Sequence, residues 1–154
     1  MEKNIFLKAL PYWVGIIIVA VLGSIFVNIG MDWFDLLEKP SQWVSNFIIP
    51  LVWSVIYIAF AIIIFLWLKN DNISKKINIL LIINGALNIV WCLIYFSFNS
   101  LFIGNIFIIL NLIASIILWI EIFNVKNLYG YILCIYPLWL CIATTLNLAT
   151  WILN

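Results

Sequence analysis

Apolar residues in this chain do not alternate with polar ones; they run. Five stretches, residues 9–30, 46–68, 77–98, 102–124 and 129–153, are each long enough to cross a bilayer as a helix, which takes about 20 apolar residues. Pro11 and Pro50 fall in the first turns of the first two, where proline is tolerated. The first run follows Lys3 and Lys8, as a secretory leader would. It is long, however, and no small-residue cleavage site follows, so it reads as a span. The pattern predicts an all-α integral membrane protein: one five-transmembrane-helix bundle, without a soluble domain or an internal repeat.

A second pattern lies inside the spans. On the third, Asn84, Asn88, Trp91 and Tyr95 recur at helical spacing and form one stripe. Tyr136, Trp139, Ala143, Asn147 and Thr150 do the same on the fifth, and Asn46, Ile49, Trp53, Tyr57 and Phe60 on the second. Lipid favours plain aliphatic side chains, so these stripes point inward. Together they predict an intramembrane pocket whose aromatic walls stack a flat apolar ligand while amides orient its polar groups. The competing reading is that the same residues only pack helices, the asparagines bonding across them. Helix 1, with Gly15, Val19 and Gly23 on one face and Ala20 and Ser24 as a small pair, reads as a packing element. Helix 4, with Gly104, Asn111 and Ser115, reads as packing between helices or subunits.

Composition narrows the chemistry. With 68% hydrophobic and 8% charged residues, the chain cannot make the surface of a soluble domain, about a quarter of which is charged. A net charge of +1 argues against nucleic-acid binding by phosphate neutralisation, and without arginine there are no bidentate phosphate or carboxylate clamps. Histidine is absent, which removes the usual metal ligand, general base and axial haem ligand. Cys92, Cys134 and Cys141 sit in apolar runs at spacings that match no zinc or haem-attachment motif, so no metal site is expected. No catalytic triad, paired carboxylates at depth or phosphate-cradling loop is present, and no cofactor is required. Glu121 is the carboxylate set well inside a span, about a turn from its end. It supports an alternative function, a small transporter or channel for apolar solutes. Against that stand the absent repeat and broken-helix signal, and the lack of a basic partner in another span.

The connections set the orientation. Lys3, Lys8, Lys69, Lys75, Lys76 and Lys126 all fall on one side of a five-span chain, and only Lys39 on the other. The positive-inside rule then puts the N-terminus in the cytoplasm and the C-terminus outside a bacterial-type cell membrane. The longest connection, residues 31–45, is therefore outside. It combines Asp32, Asp35 and Glu38 with Trp33, Phe34 and Trp43, and is either a candidate lid or an interfacial aromatic belt.

The segment WFDLLEKPS, Trp33 to Ser41, followed by NFIIPLVWSVIY, Asn46 to Tyr57, resembles the translocator protein / tryptophan-rich sensory protein family, also known as peripheral benzodiazepine receptors. So do ALNIVWCLIYF, Ala86 to Phe96, and YPLWLCIATTLN, Tyr136 to Asn147. These motifs occur in family order over nearly the whole chain, with Trp53 thirteen residues past Pro40. The resemblance implies a five-helix bundle, commonly dimeric, with an apolar pocket opening toward the first long loop. It implies porphyrins and other tetrapyrroles as ligands and, for some bacterial members, light-dependent porphyrin breakdown. Trp53 and Trp139 match the tryptophans near bound porphyrin, which makes them candidates for a photochemical role. Phe34 matches the aromatic that caps the pocket. Tyr57, Asn88, Trp91, Ala143, Leu146 and Asn147 match other pocket positions. The chain departs from the family where an aromatic and a proline pair usually follow the lysine–proline–serine: it has Gln42, Trp43, Val44 and Ser45. Pro137 also follows Tyr136 rather than preceding it, which shifts any kink by two residues. The ending LNLATWILN lacks the tyrosine and basic residue of the vertebrate cholesterol pattern.

Overall fold

The computed structural model describes residues 2–41, 44–45 and 47–154, with the side chains of residues 4–41, 44–45 and 47–154. Gln42, Trp43 and Asn46, named above for the loop and the second stripe, lie outside the described residues. The elements are α1 (Glu2–Asp35), α2 (Ile48–Asn70), α3 (Lys75–Cys92) continued by a π-helical turn (Leu93–Ser97), α4 (Leu101–Val125), α5 (Asn127–Leu133) and α6 (Ile135–Leu153). They make five helical rods long and apolar enough to cross a membrane. No strand occurs among the described residues. The chain is an all-α bundle of five membrane-spanning helices. α1 packs on α2 and α3, α3 on α4, and α4 on α5 and α6, which return to α2 and close the ring.

Helix α4 shows why such a sequence makes such a bundle. Its buried positions are Gly104, Asn105, Ile108, Asn111, Ala114, Ser115, Leu118 and Ile122. Its exposed ones include Phe102, Ile103, Ile106, Ile109, Leu110, Ile113, Ile116, Ile117 and Ile120. Polar and small residues point in and aliphatics point out, because lipid solvates isoleucine as well as the core does, whereas an unpaired amide in lipid is costly. Asn84 Nδ2 accordingly donates to the carbonyls of Leu80 (2.8 Å) and Ala114 (3.2 Å), tying α3 to α4. Tyr136 Oη donates to Asn111 Oδ1 at 3.2 Å, tying α6 to α4.

Several boundaries differ from those the apolar runs predict. α1 starts before residue 9 and continues through residues 31–35, since no helix-breaking residue stands between Gly30 and Pro40. The connection thus begins at Leu36, and Trp33 and Phe34 ride on a helix rather than on a loop. Pro11 is not in a first turn but well inside α1. The fifth span is interrupted at Cys134. Pro137 has no N–H to offer the Leu133 carbonyl and its ring crowds that oxygen, so α5 ends there and the proline falls in the first turn of α6.

At the end of the bundle where α1 finishes, helices meet backbone to backbone. A Cβ on Gly30 would collide with the Phe96 carbonyl and stand 2.8 Å from Phe96 Cα. One on Gly104 would lie 2.6 Å from Tyr95 Cδ2. Both contacts fall on the π-helical turn, which Ser97 Oγ also fastens to α1 by donating to the Phe26 carbonyl at 2.9 Å. Gly104 and Ser115 are buried within this chain, so both serve packing between its helices, one of the two readings given for helix 4. The start of the connection is pinned as well. Glu38 N–H donates to Asn154 Oδ1, and Asn154 Nδ2 donates back to the Glu38 carbonyl, each at 3.0 Å.

Candidate functional site

A cavity of about 610 Å³ lies between α1, α2 and α3. From α2 its wall takes Trp53, Ile56, Tyr57, Phe60 and Ile64, residues spaced by three and four that share one face. From α3 it takes Asn78, Leu81, Asn84, Gly85 and Asn88, with Ile82, Ala86 and Ile89 beside them. Leu118 and Tyr136 close the back. The Trp53 and Tyr57 rings stack, with centroids 5.7 Å apart at 27°. Trp53 also meets Tyr136 edge-on at 6.3 Å, and Tyr136 meets Phe60 at 5.5 Å. The surface is almost wholly apolar, with amides at a few points. Asn84 is one of them: its Oδ1 is buried and has no hydrogen-bond partner among the described residues, while its Nδ2 is fully engaged.

Of the predicted site residues, Trp53, Tyr57 and Asn88 line this cavity. The others lie toward the end of the bundle where α1 finishes, in a packed aromatic cluster and on the face of α6 beside it. Phe34 is 5% exposed and sits 5.2 Å from Phe96 and 6.2 Å from Tyr95, ring to ring. Trp91 bridges the two regions, 6.4 Å from Trp53 and 6.3 Å from Tyr95. Trp139, Ala143, Leu146 and Asn147 are buried on α6, and Ile49 is half-buried near the start of α2. None of these lines the cavity. Trp91 Nε1, Trp139 Nε1 and Asn147 Nδ2 are buried donors without an acceptor among the described residues, and groups of that kind call for an explanation in a native fold.

Helix 1 is the wall that the pattern of residues did not reveal. Pro11, Tyr12, Gly15, Ile16, Ile18 and Val19 all face the cavity. A Cβ on Gly15 would meet nothing within 4 Å, so this glycine borders open space rather than a neighbouring helix, and its reading as a packing residue is corrected. Gly23 does pack, against Cys92 Sγ. A usable signal was Tyr12, whose phenol needs a partner; the partner is Asn78 Oδ1, 2.8 Å away on α3.

Glu121 is not a lone intramembrane acid. Lys76 at the start of α3 donates to it at 2.5 Å, and both side chains reach the bundle end, where Lys126 and Asp71 pair at 3.7 Å. Exposed pairs of this kind contribute about 0–1 kcal/mol. Glu121→Gln is therefore expected to shift thermal unfolding in detergent by less than about 1 kcal/mol and to leave ligand binding in the cavity unchanged. A large loss of binding would give Glu121 a role in the site.

Residues 12–152 match the family model described as TspO/MBR family. The chain is 27% identical over 126 residues to Protein CrtK of Rhodobacter capsulatus, covering 79% of this chain and 78% of that one. It is 25% identical over 134 residues to the tryptophan-rich protein TspO of Bacillus cereus, covering 86% and 88%. With the tryptophan-rich protein TspO of Archaeoglobus fulgidus it shares 23% identity over 150 residues, covering 96% and 97%.

Proposed function

The chain belongs to the TspO/MBR family, and from that premise we propose that it is a membrane receptor or sensor whose cavity binds a porphyrin or related tetrapyrrole. The observation that carries this reading is the stacked Trp53–Tyr57 pair set in the wall of a 610 Å³ apolar cavity. That volume suits a single organic ligand, for which pockets run to roughly 300–1,000 Å³, and a planar wall suits a planar ring. The chain has no histidine, the usual axial ligand of haem iron, so the reading rests on the ring and its edges and requires no metal in the ring.

Light-dependent breakdown of the bound ring, with dioxygen as oxidant, is part of the proposal; of the two tryptophans named for a photochemical role, Trp53 lines the cavity and Trp139 does not. The dimeric state that the family resemblance implies and an N-terminus on the cytoplasmic side are part of it too.

Protoporphyrin titrated into the detergent-solubilised protein should quench tryptophan emission saturably. At a hundred times the Kd it should also stabilise the fold by about 2.7 kcal/mol. Quenching that never saturates, without a rise in melting temperature, would sink the reading. Illumination of the complex in air should bleach the porphyrin faster than free porphyrin in the same detergent; equal rates would confine the function to binding.

A further inference from the structure

The cavity is not sealed. Its back is made of buried or half-buried residues, but Pro11 and Ile18 of α1 and Ile82 and Ala86 of α3 are exposed while lining it. The opening therefore faces lipid between α1 and α3. The Tyr12–Asn78 hydrogen bond bounds it at one end. At the other, Gly85 approaches Val19 so closely that an added Cβ would stand 3.0 Å from Val19 Cγ2. Gly15, with empty space where its side chain would be, marks the middle.

Each rim continues to a lysine. Lys8 precedes Pro11 by three residues and Gly15 by seven, and Lys75 precedes Asn78 by three and Ile82 by seven. Those intervals keep each lysine on the rim face of its helix, about 10 Å along the axis from the middle of the opening. Both are exposed, and neither has a carboxylate partner among the described residues. Their neighbours Lys76 and Lys126 are neutralised by Glu121 and Asp71. An apolar slot open to lipid, with two cations at its edge that pair with no carboxylate among the described residues, has the charge pattern of a site for a molecule with an apolar body and an anionic head.

We propose that the α1–α3 opening binds an anionic amphiphile from the surrounding leaflet, its hydrocarbon chain passing beside Gly15 into the cavity and its carboxylate or phosphate held by Lys8 and Lys75. A free fatty acid and an acidic phospholipid both present this chemistry. The site shares the cavity with the tetrapyrrole reading but does not depend on that ligand.

The test uses the full chain in a non-ionic detergent and reads energy transfer from tryptophan to a fluorescent polyene chain. The chain is supplied as the free fatty acid, as its methyl ester, and within phosphatidylglycerol. The acid should bind saturably and the ester at least about tenfold more weakly. Lys8→Gln with Lys75→Gln should weaken the acid to the level of the ester and leave the ester unmoved. Gly15→Leu, which enters open space, should abolish saturable transfer from all three while the protein still melts cooperatively. Phosphatidylglycerol matching the acid assigns a phospholipid as the occupant; the acid alone assigns a free fatty acid. Equal binding of acid and ester, or binding unchanged by Gly15→Leu, overturns the proposal. Protoporphyrin titrated into the same samples separates the two readings. Chain binding without porphyrin binding refutes only the tetrapyrrole reading, and the converse refutes only this one.

Discussion

Trp53→Ala is expected to weaken protoporphyrin binding by about thirtyfold, the roughly 2 kcal/mol of an aromatic hot spot, whereas Trp139→Ala should change it by less than about threefold. Among the described residues Trp53 is the only tryptophan in the cavity wall. It stacks on Tyr57, meets Tyr136 edge-on and touches Trp91. Its removal takes away a flat apolar surface and loosens three other rings. Trp139 is 6% exposed and faces packed neighbours instead of the cavity. Affinity is best followed through the porphyrin's own absorbance, since tryptophan variants alter protein emission. An unchanged Kd in Trp53→Ala would remove the cavity as the porphyrin site. Equal losses at both positions would mean that the ligand parts the aromatic cluster around Phe34 and Tyr95 to reach α6.

The second large effect concerns stability. Gly30→Ala should destabilise the bundle by about 3 kcal/mol, the upper range for overpacking, and so lower the folded-to-unfolded ratio more than a hundredfold. The added methyl would meet the backbone of Phe96, which cannot rotate away as a side chain can. The Ser97–Phe26 hydrogen bond holds the same crossing shut. Gly15→Ala is the internal control. It adds the same methyl to open space and replaces glycine by a better helix former, worth up to about 1 kcal/mol. Reversible unfolding in mixed micelles reads both. A Gly30→Ala protein as stable as the parent would contradict the close approach of α1 to the π-helical turn.

Much of this architecture was legible because lipid imposes a simple rule. Five apolar runs gave five spanning rods, and the stripes on the second, third and fifth spans correctly named inward faces: Trp53, Asn88, Trp139 and Asn147 are all half-buried or buried. Hydropathy cannot see where a helix ends, however. A helix stops for want of backbone partners or at a proline, and Asp32 and Asp35 are as helical as the isoleucines before them. Depth was also illegible. Trp53 and Trp139 both lie on inward stripes, yet one borders empty space and the other is packed, because that difference depends on which helices approach at each level. Gly15 and Gly30 make the same point from a single residue type. One marks a gap and the other a backbone contact, and no local pattern distinguishes them. The partner of Glu121 went unseen for a similar reason: Lys76 stands just outside the apolar run and 45 residues away in sequence.

The length of α1 has a mechanical consequence. At about 1.5 Å per residue its 34 residues extend about 51 Å, well beyond the roughly 30 Å of hydrocarbon. Gly15, on the cavity wall, and Phe34, in the aromatic cluster, are therefore two points on one rod, about 28 Å apart. Between them α1 is held at three levels, where Val19 meets Gly85, where Gly23 packs on Cys92 and where Gly30 meets Phe96. The wall of the cavity and the floor of the cluster are thus cut from one strut, and the register of that strut against α3 sets both at once.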